Sequence, residues 1–175
     1  MAFLFGLNYF LQYSKLRGEE WIIMKFLVDR MLGKLAKALR LLGYDTVYYQ
    51  GQDLTQLIRL AREQDRFIVT RNTKLVARTP EDRVVFITQD QPRLQLRELQ
   101  EKGHIFFNER ESFSRCLVCN VPLDGITKKE VEGKVPDFIF HHYQEFYRCS
   151  QCRRIYWPGT HQQNMQKSIS QILKC

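Results

Sequence analysis

The stretch MKFLVDRMLGKLAKALRLLGYD, residues 24–45, contains one complete strand–helix unit. The apolar run Lys25–Val28 is typical of a buried strand, and it ends at Asp29. From Met31 to Leu42 apolar residues recur at helical spacing, and Gly43 suits a helix end. The stretch therefore predicts a strand, a carboxylate at its end and an amphipathic helix.

The same alternation continues through residues 46–102. We predict strands at Thr46–Tyr49, Phe67–Thr70 and Val84–Ile87, and helices at Asp53–Glu63, Asn72–Ala77 and Pro92–Lys102. Strands that alternate with helices across short loops form parallel sheets, which helices cover on both faces. The sequence therefore predicts an α/β fold.

Polar residues follow the predicted strands where each one ends. Asp29 follows the first strand, Arg71 and Asn72 follow the third, Asp90 follows the fourth, and Asp53 begins the second helix. Reactive groups of parallel sheets gather at these carboxyl ends. Carboxylates there suit Mg²⁺ or Mn²⁺, ions that can activate water and neutralise charge on a phosphodiester. The pattern predicts such a site, in which Asp29 and Asp53 are ligands.

Most of these carboxylates also have a purely structural interpretation. Asp53 is a suitable N-cap, and Gln56 would complete a capping box. Asp90 precedes Pro92, as residues at helix starts often do, and Asp45 is typical of a turn. A carboxylate directly after an apolar strand is harder to explain in this way, so Asp29 is the strongest candidate.

The first helix has a basic face opposite its apolar one. At ~100° per residue this face covers an arc of about 120°. It consists of Arg30, Lys34, Lys37 and Arg40. The net charge of +8 and the pI near 9.4 favour a phosphate-rich partner. We therefore predict that the face binds a nucleic-acid backbone, and a merely solvated surface is the alternative.

Four cysteines form two C-x2-C pairs, Cys116 with Cys119 and Cys149 with Cys152. Such pairs supply the four thiolates of a tetrahedral structural zinc site. A redox pair is the alternative, but it requires a C-x-x-C at the start of a helix beside a parallel sheet. Thiols kept for a metal indicate a reducing compartment, and we expect the protein in the cytoplasm.

Residues 1–23 do not share these patterns. Their apolar part, Ala2–Leu11, is too short to span a bilayer and lacks the basic start of a signal peptide. We interpret residues 1–23 as an N-terminal extension, with a short docked helix as the alternative. We expect no contact with a membrane.

Four segments together resemble the Mut7-C family. They are residues 24–45 quoted above, RFIVTRN at 66–72, FSRCLVCNVPL at 113–123 and EFYRCSQCRRIYWPGTH at 145–161. The resemblance covers about residues 24–165. It implies a PIN-like three-layer α/β/α nuclease domain at 24–110, a zinc ribbon at 111–163 and metal-dependent cleavage of RNA. Residues 164–175 are then a polar tail.

The resemblance also implies roles for individual residues. Asp29 matches the first catalytic carboxylate of the family, and Asp53 matches the acidic position that opens the second helix. Asn72 stands where the family usually has an aspartate. An amide can coordinate a metal but adds no negative charge, and Asp90 could compensate only if it points inward.

The ribbon sequence contains aromatic residues among arginines, a combination that can stack on unpaired bases. The aromatics are Tyr147, Tyr156 and Trp157, and the arginines are Arg148, Arg153 and Arg154. The alternative is that these rings fill the core of the ribbon.

The combined prediction is a PIN-like ribonuclease that uses Mg²⁺ or Mn²⁺ and carries a structural zinc. We expect RNA as the partner and no small-molecule cofactor, and the oligomeric state is open. Two other functions remain possible on the sequence. One is an RNA-binding module that is weakly active or inactive because of Asn72, and the other is a zinc ribbon that binds a protein.

Overall fold

The computed structural model describes residues 24–173, apart from the side chains of several residues in the last helix. The predicted extension at residues 1–23 and the final residues 174–175 lie outside the described part. Within residues 24–173, two sheets follow each other, a parallel one of four strands and a smaller one of three. In the described part, no helix has both the length and the apolar character that crossing a membrane requires.

The first sheet has the strand order β2-β1-β3-β4, and all its pairs are parallel. The strands are β1 (Phe26–Val28), β2 (Thr46–Tyr48), β3 (Phe67–Thr70) and β4 (Val84–Phe86). The helices are α1 (Gly33–Leu41), α2 (Leu54–Glu63), α3 (Thr73–Val76) and α4 (Pro92–Glu101), with 3-10 turns at Arg30–Leu32 and Glu81–Arg83. The predicted α/β fold with a parallel sheet is confirmed.

Helices cover both faces of this sheet, because successive residues of a strand point to opposite faces. Phe26 and Val28 lie in the core shared with α1 and α4. Leu27 and Ile68 lie in a second core, shared with α2 and α3. The module therefore has three layers, α/β/α.

Gly43 ends the first helical segment, as predicted, and two features require a glycine there. Its φ of +91° lies in the left-handed region that side chains disfavour. A Cβ at this position would also collide with the backbone carbonyl of Glu111. The end of α1 is thus in direct contact with the segment that leads into the cysteines.

The second sheet is antiparallel, with the order β5-β6-β7. Its strands are β5 (Leu123–Ile126), β6 (Phe146–Cys149) and β7 (Ile155–Tyr156), and two short helices, α5 (Lys128–Val131) and α6 (Asp137–His142), lie between β5 and β6. Strand β5 begins only at Leu123, four residues after the first cysteine pair. The residues before it form the loop that carries the first cysteine pair.

The structure differs from the sequence interpretation at the C-terminal end. A helix, α7 (Thr160–Leu173), occupies most of the segment interpreted as a polar tail. Ile169 and Leu173 are buried in the core of the α/β module. Residues four positions apart lie on the same face of a helix. These two apolar side chains therefore pack α7 against the α/β module, although the segment is mostly polar.

Candidate functional site

The predicted site residues lie along one edge of the parallel sheet. Because all four strands run in the same direction, their carboxyl ends share this edge. Following the strand order β2-β1-β3-β4, the edge carries Asp53, Asp29, Asn72 and Asp90. The sequence therefore placed these residues on the correct edge, and their side chains differ in surroundings.

Asp29 is buried at the end of β1, with 5% of its surface exposed. One carboxylate oxygen accepts a hydrogen bond from the backbone N–H of Met31 at 2.7 Å, and the other accepts one from the hydroxyl of Thr70. Among residues 24–173, no ion pair involves Asp29. A carboxylate has about four lone-pair positions, so these two bonds leave capacity for a cation.

Thr70 is a site residue that the sequence reasoning missed. It is fully buried, and its hydroxyl donates to Asp29 while accepting from the backbone N–H of Asn72 at 2.9 Å. Thr70 thus links the ends of β1 and β3. The sequence could have indicated Thr70 as a site residue, because it is the last residue of a predicted strand and directly precedes Arg71.

Asp53 and Asn72 both act as N-caps. Oδ1 of Asp53 accepts from the backbone N–H groups of Thr55 and Gln56 at 2.8 and 3.2 Å. Oδ1 of Asn72 accepts from the backbone N–H of Lys74 at 3.0 Å. The capping interpretation of Asp53 is confirmed, but the predicted capping box is not formed, because the Gln56 side chain accepts from the Tyr49 hydroxyl instead.

The Asp90 side chain lies at the protein surface. Its side chain is 83% exposed and forms an ion pair with Arg71, whose side chain is 29% exposed. Asp90 is also not the cap of α4, since Gln91 occupies that position without a capping side-chain bond. Helix α4 begins at Pro92, as the signature of Asp90 before Pro92 predicted, but the Asp90 carboxylate pairs with Arg71 and does not cap the helix.

The three carboxylates do not form a compact cluster. Across the described residues, the one group of three or more His, Cys, Asp or Glu side chains with all ligand atoms within 4.8 Å is the cysteine group. Asp29, Asp53 and Asp90 therefore share an edge but do not share a preformed cage of this kind.

A buried glutamate organises the loop after β4. Glu98 of α4 accepts from the backbone N–H groups of Thr88 and Gln89 and from Nζ of Lys102, at 2.7 to 3.1 Å. Burial raises the pKa of Glu98, but the bonds from Lys102 and the two amides outweigh it and lower the pKa below its usual value. Periodicity marked this residue only as part of a helix.

The four cysteine sulfurs lie within 4.8 Å of one another. Sγ of Cys116 and Sγ of Cys152 are 3.7 Å apart, close to the separation of about 3.8 Å that tetrahedral Zn–S bonds of about 2.3 Å require. The backbone N–H groups of Cys119 and Cys152 point at Cys116 and Cys149 across each pair. The arrangement fits zinc, which four cysteine thiolates bind in tetrahedral geometry.

The pKa values of two of the cysteine thiols are shifted in opposite directions. Burial raises the pKa of Cys116, but hydrogen bonds from the Tyr156 hydroxyl and from the backbone of Cys119 and Val118 outweigh it and lower the pKa to about 6. Burial and the neighbouring thiols raise the pKa of Cys119 to about 12. A metal that bound here at neutral pH would therefore meet one deprotonated thiol, Cys116, and would have to displace the proton of Cys119.

The redox alternative requires a pair that begins a helix beside the parallel sheet. Cys116 and Cys119 lie in the loop before β5, and Cys149 and Cys152 lie at the end of β6 and in the turn after it. Both pairs belong to the antiparallel module. The geometry therefore favours the metal interpretation over the redox one.

The basic face of the first helix divides into two parts. Arg30, Lys34 and Lys37 are exposed, as predicted. Arg40 is buried, with 8% of its surface exposed, and donates to three backbone carbonyls. The prediction that Arg40 belongs to the exposed face was wrong, because its long side chain turns toward the cysteine loop.

Two of the three ribbon arginines lie free of ion pairs among the described residues. Arg153 and Arg154 are exposed, whereas Arg148 pairs with Glu130 at 3.3 Å. Tyr147 is 37% exposed, but the Tyr156 hydroxyl lies 3.2 Å from the Cys116 sulfur. Of these two tyrosines, Tyr147 is exposed and could stack on a base, whereas Tyr156 contacts the cysteine cluster.

Comparison with known proteins gives one match. The model of a family described as the Mut7-C RNAse domain matches residues 24–169. No curated protein and no solved structure matched the chain. The matched region contains the whole parallel sheet, its carboxyl edge and both cysteine pairs.

Proposed function

This chain belongs to the Mut7-C family of RNase domains, and on that premise we propose that it is a divalent-metal-dependent ribonuclease. Its substrate is RNA, and the reaction is hydrolysis of a phosphodiester bond at the carboxyl edge of the parallel sheet. The zinc ribbon assists in holding the RNA. The proposed compartment is the cytoplasm, where thiols stay reduced and available for zinc.

The buried carboxylate of Asp29 is the observation that carries the metal proposal. A carboxylate that is 95% removed from solvent and has no cationic partner in the described part of the chain is energetically costly. Two hydrogen bonds to neutral donors reduce that cost only partly. A bound cation would offset the rest, which supports Asp29 as the principal ligand.

Asp53 and Asn72 are the proposed neighbours of this ligand. When Mg²⁺ or Mn²⁺ is bound, it supplies an activated water and neutralises charge on the phosphodiester. Thr70 fixes the Asp29 carboxylate relative to the start of α3, which holds Asn72. Because Asn72 adds no charge and already caps α3, we propose that the site binds its ion weakly and works slowly.

The distribution of charge supports RNA binding by the α/β module. Residues 24–110 contain 16 Lys and Arg against 11 Asp and Glu, which gives +5 of the total +8. Counterion release from RNA favours such a surface. The proposed phosphate contacts are Arg30, Lys34, Lys37 and Arg71, with Arg153 and Arg154 on the ribbon.

The proposed zinc has a structural role. All four positions around the ion are taken by thiolates, so no position remains for a substrate or water. One zinc per chain is expected by elemental analysis of untagged protein. The ribbon has a small core of its own, and metal binding supplies much of the stability of such modules.

Cleavage of labelled RNA across a series of metals tests the catalytic proposal. The wild type is expected to cleave slowly, and Mn²⁺ is expected to support cleavage better than Mg²⁺. Asp29→Asn should abolish cleavage, because it removes the principal negative charge of the site. Asn72→Asp should increase the rate, because it adds a carboxylate at the same edge.

Asp82→Asn is the matched control. It makes the same change in an exposed residue before β4, at the opposite edge of the sheet, and should leave the rate unchanged. Cleavage that survives Asp29→Asn would mean that another site or a contaminant is responsible.

A non-catalytic RNA-binding module is the second candidate. Two observations favour it: Asn72 replaces a carboxylate, and Asp90 is held by Arg71 on the surface. Under this alternative neither the wild type nor Asn72→Asp cleaves RNA with any metal, while both bind it. Cleavage by Asn72→Asp alone would indicate a site that has lost only its third carboxylate.

A further inference from the structure

The outer edge of the parallel sheet at β2 is connected to the first cysteine pair through Arg40 and Asn120. Among the strands of the described residues 24–173, β2 is the outermost of its sheet and pairs with β1. At Thr46, the first residue of β2, the backbone N–H donates to Oδ1 of Asn120 at 2.9 Å, and the carbonyl accepts from Nε of Arg40 at 2.8 Å. Both groups would otherwise be unpaired edge groups in a fully buried residue.

Arg40 connects this edge to the cysteine loop. Its Nη1 donates to the carbonyls of Leu117 and Val118, at 2.9 and 3.0 Å. Those two residues are the ones that separate Cys116 from Cys119. One guanidinium therefore holds the backbone of the first cysteine pair and the first residue of β2 at the same time.

Asn120, directly after Cys119, completes the contact from the other side. Its Nδ2 donates to Oδ1 of Asp45 at 2.7 Å, and the same oxygen accepts from Nη1 of Arg66 at 2.7 Å. Asn120 has a φ of +67°, a left-handed conformation that asparagine tolerates better than most residues. These bonds fix the end of the cysteine loop relative to the start of β2.

Charge supports the same arrangement. A zinc ion with four thiolates carries a net charge of −2, so a nearby fixed cation stabilises it. Burial lowers the pKa of Arg40, and the charges of Cys116, Cys119 and Asp45 raise it again. A guanidinium remains protonated under such conditions.

We infer that Arg40 is a positioning residue of the zinc centre, and that zinc at the cysteines stabilises the β2 edge of the nuclease sheet. The inference rests on the proposed zinc site. Zinc holds Cys116 and Cys119 in place, the carbonyls between them hold Arg40, and Arg40 together with Asn120 pairs the edge of β2 at Thr46. The dependence runs in both directions, because a looser Arg40 also leaves the cysteine loop less ordered.

Competition for zinc with a chromogenic chelator tests the first direction. Arg40→Lys keeps the charge but cannot serve three carbonyls in one plane, and it should weaken zinc binding by about tenfold, the lower end for loss of an outer partner of a metal site. Arg62→Lys, the same change at an exposed residue of α2, should leave zinc affinity unchanged. Equal affinity in Arg40→Lys and the wild type would overturn the inference.

Hydrogen exchange on the wild type tests the second direction and needs no variant. Removing zinc should deprotect the N–H of Thr46. This result is expected whether or not the N–H of Phe67, which donates to the Lys25 carbonyl inside the sheet, also loses protection. Protection of Thr46 that persists after zinc has left would contradict the coupling. A wild type that binds no zinc at all would instead refute the proposed zinc site itself.

Discussion

Asp29 and Asp90 show how surroundings decide what an aspartate can do at the same sheet edge. Asp29 is buried, and within the described part of the chain its carboxylate receives hydrogen bonds from a backbone amide and a threonine hydroxyl but forms no ion pair. Asp90 is exposed and neutralised by Arg71. Binding a cation would therefore stabilise the Asp29 carboxylate, whereas the Asp90 carboxylate is already paired with the Arg71 guanidinium. Exposed ion pairs contribute little to stability, about 0–1 kcal/mol, so the proposed contact of Arg71 with a phosphate would cost little by separating it from Asp90.

Glu98→Gln is expected to destabilise the protein in a pH-dependent manner. The folded-state pKa of Glu98 is lowered, so the ionised carboxylate stabilises the fold above the ordinary glutamate pKa of about 4.3. At pH 7 the variant should lose about 1–3 kcal/mol of unfolding free energy. The loss should shrink as the pH falls below about 4, because the wild-type carboxylate then becomes protonated.

Urea denaturation of both proteins at pH 7 and at pH 3.5 measures this effect. Glu101→Gln on the same helix is the control, because Glu101 is exposed. A difference between wild type and Glu98→Gln that does not change with pH would show that shape, not charge, explains the role of Glu98.

At the scale of elements, the first helical segment combines two functions. Arg30, Lys34 and Lys37 lie on its exposed side. Arg40, in its last turn, donates a hydrogen bond to the cysteine loop. A helical wheel places all four residues on one arc, because it records only the direction of each residue from the axis. Arginine is long enough to leave that direction where acceptors lie nearby.

Reversing the charges of Lys34 and Lys37 together should weaken RNA binding. Each phosphate contact that is lost reduces the slope of log K against log salt by about 0.7 to 0.9. The double variant Lys34→Glu with Lys37→Glu should therefore bind more weakly and show a flatter slope. Fluorescence anisotropy of labelled single-stranded RNA over a range of salt concentrations provides the measurement.

The control pair carries the same charge change on the ribbon. Lys129 and Lys134 are both exposed, and their reversal to Glu should affect binding less. Equal losses from the two pairs would mean that only net charge matters, and an unchanged affinity for the first pair would leave its helix as a solvated surface.

For the whole molecule, the two modules are joined by a buried polar contact. Arg40, Asn120 and Arg115 each bond to a backbone group across it, and α7 returns from the ribbon to the core of the α/β module. Modules connected in this way are expected to unfold together. The zinc proposed for the ribbon should then stabilise the nuclease module as well.

Zinc removal is therefore expected to shift one cooperative transition. If the metal contributes about 3 kcal/mol or more to the whole chain, a chelator should lower Tm by roughly 10 °C. Calorimetry before and after chelation measures the shift, and readdition of zinc should reverse it. Two separate transitions, with the one of the parallel sheet unmoved, would show that the modules are independent.

The sequence alone determined the elements and their arrangement in one sheet. Runs such as Phe67–Thr70 and helices such as α2 depend on spacing within a few residues, and the alternation of the two implies parallel pairing. The four cysteines of the proposed zinc site were equally local, because each C-x2-C pair is defined by its own spacing. The placement of Asp29, Asp53, Asn72 and Asp90 on one edge then followed from strand direction.

Only the tertiary structure decided what those side chains touch. Arg40 reaches carbonyls 77 and 78 residues further along the chain, and Asn120 reaches Asp45 over 75 residues. Such pairs leave no periodic signal, since nothing in the local spacing depends on them. The same holds for the ion pair between Arg71 and Asp90. It also holds for Ile169 and Leu173, which are buried against a core that distant segments build. Local patterns record which surface a segment buries, whereas the partner on that surface is set by the folded chain.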